Sequence, residues 1–207
     1  MAMSTREDDR SRQLSASDWA RAATEAIVAG GVASVAIEPL AAGLGATKGS
    51  FYHHFENRDA LIVAALEQWE RSETEAVIQR MELIADPGER LRAIVAAALG
   101  DRQGAIRDAA FMAAATHPLV NPVVKRVTDR RLSYMTDLCI ELGLPRAQAR
   151  RRALLLYSSY LGLFDYIRVG LGAALSQAEL RAYTDELLTA LVPSTIRSSS
   201  ASTARQS

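Results

Sequence analysis

The chain has 207 residues, 49% of them hydrophobic, enough to bury a sizeable core in one large or two small domains. Its 24 basic and 24 acidic side chains cancel, which excludes a partner recognised through bulk charge, so contact with a polyanion requires positive charge placed locally. The single cysteine, Cys139, excludes an intramolecular disulfide and a multi-thiolate zinc site.

The opening stretch "MAMSTREDDRSRQ" has no apolar core of the kind a signal peptide needs. No run approaches the roughly 20 apolar residues of a membrane span. A soluble cytoplasmic protein with no membrane partner is expected. Residues 1–14 and the Ser/Thr-rich residues 193–207 bury too little apolar surface to offset their ordering entropy, and are expected to be disordered tails. Between them apolar positions recur three and four apart, alanine is abundant and β-branched residues do not cluster. The fold class expected is all-α, with about nine helices.

The first helix is expected from Ser17, as N-cap, to about Ala29, stopped by Gly30 and Gly31. A short second helix follows over Ile37–Leu44, with Pro39 in its first turn, and Gly45 makes the turn. Thr47 is placed to cap a third helix over Lys48–His54. Asn57 is placed to cap a long fourth helix carrying Ile62, Leu66, Trp69 and Val77, which runs to the break near Pro87. Later helices are delimited by Pro87 and Gly100, by a stop before His117-Pro118, by Asn121 and Gly143, and by Pro145 and Gly170. A capping box, Ser176 with Glu179, opens the last helix before Pro193.

The stretch "GLGATKGSFYHHF", Gly43–Phe55, resembles a phosphate-binding loop in composition. Its order does not fit one: Lys48 precedes Gly49, and the preceding segment "IEPLAAGL" is an amphipathic helix where a P-loop needs a buried strand. The glycines at 43, 45 and 49 also miss the dinucleotide spacing. Helix, tight turn at Gly45, helix is the helix-turn-helix arrangement, whose second helix enters the major groove of DNA. Leu40, Ala41 and Leu44 form the inner face of the first helix, and Phe51 and Phe55 can meet it. Thr47, Lys48, Gly49, Ser50, Tyr52, His53 and His54 are left outward or at the helix start. The adjacent histidines diverge by about 100° around the helix, so no metal site is expected there.

The block "LAAGLGATKGSFYHHFENRDALIVAAL" resembles the DNA-binding domain of the TetR (tetracycline-repressor-like) family of transcriptional regulators. The resemblance rests on Gly30, Leu40-Ala41, Leu44-Gly45, Gly49-Ser50-Phe51-Tyr52, His54-Phe55, Arg58 and Leu61. It implies that Tyr52 and His54 contact backbone phosphates, that Arg58 is the basic residue opening helix four, and that Thr47, Lys48, Ser50 and His53 meet base edges or nearby phosphates. Lys48 can reach guanine or a phosphate, and the sequence leaves both open. Ala36, Ile37 and Glu38 depart from the pattern, which often carries Thr or a basic residue there. Residues 1–60 hold six basic and eight acidic side chains, so specific contacts are expected to carry much of the affinity.

These features imply a DNA-binding domain over residues 15–60, with the helix-turn-helix at about 35–54, and a helical effector-binding and dimerisation domain over 61–192. The last two long helices are apolar around much of their circumference, which suits a homodimeric four-helix bundle. Effector-site candidates are the adaptable or polar-tipped side chains Phe111, Met112, His117, Tyr134, Met135, Cys139, Tyr157, Tyr160 and Phe164. Arg150–Arg152 reads as a solvated face. No constellation supports catalysis, a cofactor or a metal. The expected function is that of a ligand-responsive homodimeric repressor on a palindromic operator, with helix four coupling the two regions. The alternative is a dimeric small-molecule-binding or adaptor protein with weak or lost DNA binding.

Overall fold

A computed structural model describes residues 14–168 and 176–192. The expected tails, Leu14 apart, lie outside the described residues. Every regular element among them is helical, and the chain divides into two compact units, Met1–Gln68 and Trp69–Ser207.

The first unit holds α1 (Ala16–Gly30), a 3₁₀ turn (Val32–Ser34), α2 (Ile37–Gly43), α3 (Lys48–His54) and α4 (Arg58–Glu70) up to Gln68. The cap of α1 is Ser15, where the sequence suggested Ser17. A capping box needs an acid three residues on. Asp18 stands at that distance from Ser15, and its carboxylate accepts the Ser15 N–H at 3.0 Å. Helix α2 ends on Gly45 at φ 66°, a left-handed conformation that costs glycine nothing. There the Ala46 N–H donates to Ala41 O at 2.8 Å and the Gly45 N–H to Ala42 O at 3.2 Å, closing the helix end. Thr47 caps α3 as expected, accepting from the Ser50 N–H. The core is aromatic at its centre. Phe51, fully buried, sits edge-on to Trp19 of α1 at 5.4 Å, and Phe55 lies 5.7 Å from Phe51. Leu61, Ile62, Ala65 and Leu66 close it from α4.

The second unit begins with the end of α4, and here the expected uninterrupted helix is corrected. Residues Arg71–Glu75 form a π turn before α5 (Ala76–Glu82), with the Ala76 N–H donating to Arg71 O. Next come α6 (Pro87–Gly100), α7 (Arg102–Ala113), α8 (Asn121–Glu141), α9 (Arg146–Arg168) and α10 (Gln177–Leu191). Asp101 caps α7, accepting from the Gly104 N–H at 2.8 Å, and this helix stops at Ala113, three residues short of the expected stop before His117. The Ser176–Glu179 capping box opens α10 as expected. The short connection through Gly143 sets α8 and α9 antiparallel, and theirs is the most extensive helix pairing. Leu91, Leu99, Leu138, Cys139, Ala149, Ala153 and Leu156 fill the core between these helices. No helix among the described residues is long and apolar enough to cross a membrane.

Candidate nucleic-acid interface and helical cavity

In the first unit, burying Phe51 and Phe55 turns the rest of α3 outward. Thr47, Lys48, Gly49, Tyr52 and His53 are all exposed, Tyr52 to 58%, and Ser50 is half-buried. An exposed tyrosine beside two buried phenylalanines is an amphipathic tip held ready for a partner. Gly49 has no packing reason to lack a side chain, since a Cβ there would meet only Thr47 Oγ1, at an ordinary 3.6 Å. Lys48 pairs with the Glu38 carboxylate across the turn. That hydrogen bond and charge hold the Glu38 carboxyl below its ordinary value and the Lys48 ammonium above its own.

Two residues of the expected interface, His54 and Arg58, are engaged inside the unit. The His54 Nε2–H donates to Leu14 O at 2.8 Å, fastening the entry to α1. Arg58 donates through Nε to Val35 O at 2.6 Å and through Nη2 to Val32 O. This guanidinium ties the loop before α2 to the start of α4. The sequence signalled a basic side chain at 58, but two backbone carbonyls as its partners leave no mark in residue order.

The second unit holds a partly open cavity of about 300 Å³. Val77, Ile94, Val95, Ala98, Leu156 and Leu187 form its apolar walls. Of the expected effector residues, Tyr134, Met135, Tyr157 and Tyr160 line it. The other five do not line it. Phe111 is fully buried against Trp69, with ring centroids 4.7 Å apart. Met112 is half-buried on α7 away from the lining, and the His117 Nδ1 accepts from the Leu119 N–H in the turn that follows. Cys139 lies in the core, where burial pushes its thiol up to about 11. Phe164 is buried edge-on to Tyr160 at 4.9 Å.

The polar end of the cavity was not anticipated. Asp108, 4% exposed, accepts from Trp69 Nε1 at 2.6 Å, from the Tyr160 hydroxyl at 2.7 Å and from both terminal nitrogens of Arg131. Arg131 also donates through Nε to Thr74 Oγ1 at 2.9 Å and through Nη2 to Glu73 O at 3.2 Å, both in the π turn. A buried charge survives only when paired and hydrogen-bonded, and this pair is both. Burial disfavours the Arg131 charge, but Asp108 beside it outweighs that and keeps the guanidinium firmly protonated. Burial, then Asp108, push the Tyr160 phenol well above its ordinary range. A signal did exist: Asp108 lies three residues from Ala105 and Phe111, and Arg131 continues the stripe of Val124, Val127 and Tyr134. A charge at core spacing marks a buried polar site.

Residues 20–65 match the family described as bacterial regulatory proteins, tetR family. Over 171 residues the chain is 33% identical to the HTH-type transcriptional regulator BetI of Serratia proteamaculans (strain 568), covering 77% of this chain and 83% of that one. The chain belongs to the TetR family. Solved structures agree on its fold. A transcriptional regulator from Rhodococcus sp. Rha1 superposes with a TM-score of 0.72 at 23% identity, covering 86% of this chain and 96% of that one. AibR, solved in complex with isovaleryl coenzyme A and operator DNA, gives 0.63 at 21% identity, covering 86% and 98%. Within this TetR-family regulator, α2 and α3 form the helix-turn-helix, and the cavity belongs to the C-terminal helices.

Proposed function

We propose that this TetR-family regulator is a homodimeric repressor, released from a palindromic operator when a small molecule occupies the cavity of its second unit. The observation that carries the DNA side is the exposed face of α3, where Tyr52 stands exposed and Gly49 leaves space that nothing in the chain uses. In a helix-turn-helix that face enters the major groove, with Thr47, Lys48, Ser50, Tyr52 and His53 reaching bases and phosphates. His54 and Arg58 serve the same interface by holding its frame.

The ligand side rests on the cavity, whose volume falls at the small end of known ligand sites. Apolar walls around one polar end suit a compact molecule with an apolar body and a single hydrogen-bonding group. AibR, similar in fold, carries both a thioester ligand and operator DNA. The homodimer rests on α9, where Leu154, Leu155 and Tyr166 are exposed to about half their surface and a Cβ on Gly162 would meet nothing within 4 Å. Apolar exposure of that extent along one helix suits a second copy.

A mobility shift on the duplex upstream of the gene tests the reading. Lys48→Ala and Tyr52→Ala are each expected to weaken binding by about tenfold or more, and losing the Lys48 contact to reduce the salt slope by about 1. Wild-type affinity in both variants would overturn the interface.

A further inference from the structure

Asp108 and Arg131 do more than complete a polar wall. Together they hold the π turn Arg71–Glu75 and, two residues before it, Trp69, which begins the second unit. Arg131 grips the turn at the Glu73 carbonyl and the Thr74 hydroxyl. Asp108 grips Arg131 and also the Trp69 indole. Tyr160 supplies the last bond to Asp108 from α9. Glu73, Thr74, Asp108, Arg131 and Tyr160 all line the cavity. A π turn is a single-residue insertion in an α-helix, and such turns gather at functional sites.

We propose that Asp108 and Arg131 are positioning residues for DNA binding, which set the helical register of α4 by pinning the π turn. The inference rests on the ligand-responsive reading above. A ligand whose polar end takes hydrogen bonds from Arg131 or Tyr160 takes them from Asp108 or from the turn. An unpinned turn is free to tighten into α-helix. Losing one residue from the bulge rotates whatever precedes it by about 100°, and what precedes it is α4, whose residues up to Gln68 belong to the DNA-binding unit. The cavity thus has differential contacts with two states of one element, which is what coupling requires.

The test uses the full chain with no ligand. Asp108→Asn keeps shape but weakens the grip on Arg131, and Tyr160→Phe removes one bond only, so the series does not depend on the harsher variant folding. Leu91→Ala, in the core of the second unit and outside the lining of the cavity, is the control for simple loss of packing. Amide exchange across residues 69–76 should accelerate about tenfold in Asp108→Asn and less in Tyr160→Phe, with α6 unchanged. Affinity for the upstream duplex should shift by about fivefold or more in parallel. Leu91→Ala should lower the melting temperature and leave both readouts alone. Unchanged exchange at 69–76 in Asp108→Asn, or an equal rise throughout the second unit, overturns the pinning. Altered exchange with unaltered DNA affinity overturns the coupling. Should wild type bind the duplex no better than a scrambled one, the regulator reading fails, while the exchange series still judges the turn.

Discussion

Gly49 is a residue whose side chain is missing for no internal reason. It occupies α3, where glycine costs up to about 1 kcal/mol relative to alanine, and a Cβ would touch only Thr47 Oγ1. Gly49→Ala is therefore expected to raise the urea midpoint slightly while weakening binding to the upstream duplex several-fold. Opposite signs in the two measurements would locate the constraint outside the chain, in the groove. Equal DNA affinity would mean the glycine serves no close approach. Arg58 is the converse case, a cation that residue order presents as surface chemistry and that geometry engages with Val32 O and Val35 O. Side-chain identity and helical phase are legible in a sequence, whereas a carbonyl 26 residues away as the acceptor is not.

Helix boundaries were the most legible elements, because each depends on chemistry within four residues. Thr47, Gly45, Pro87 and the Ser176–Glu179 box all stand where their local rules put them. The start of α1 slipped by two residues because Ser15 and Ser17 both precede Asp18, and only the box spacing separates them. Ser15→Ala is expected to cost about 1 kcal/mol in chemical denaturation. Ser17→Ala should cost less, since it loses only an exposed bond from Gln68 at 3.0 Å. A reversed order would return the cap to Ser17. The π turn was not legible. Its residues, RSETE, are ordinary helix formers, and what widens the helix there arrives from Asp108 and Arg131, far along the chain. The cavity was half-legible for the same reason: its tyrosines announce themselves, but its ion pair required α7 and α8 to converge.

For the whole molecule, the balance of charge acquires a physical meaning. Among the described residues, the reading face offers Lys48 as its cation, and Glu38 already neutralises it. A single cation supplies only part of the affinity, so the rest must come from shape, hydrogen bonds and two half-sites acting together, which gives the proposed dimer a large share of the binding free energy. Gly162→Arg, placed where a Cβ meets open space, is expected to leave the protomer folded by circular dichroism. It should halve the mass in light scattering and weaken operator binding by about tenfold or more. A folded variant that remains dimeric would move the interface off this face of α9.

Arginine supplies 22 of the 24 basic side chains, so lysine-directed chemistry has two addresses, Lys48 and Lys125. The first stands exposed on the reading helix, while the second lies on α8 in the other unit. A protease that cuts only after lysine should release a short set of fragments from the free protein. Duplex DNA should shield the bond after residue 48 and spare the one after 125, so a single gel would report groove occupancy without any label.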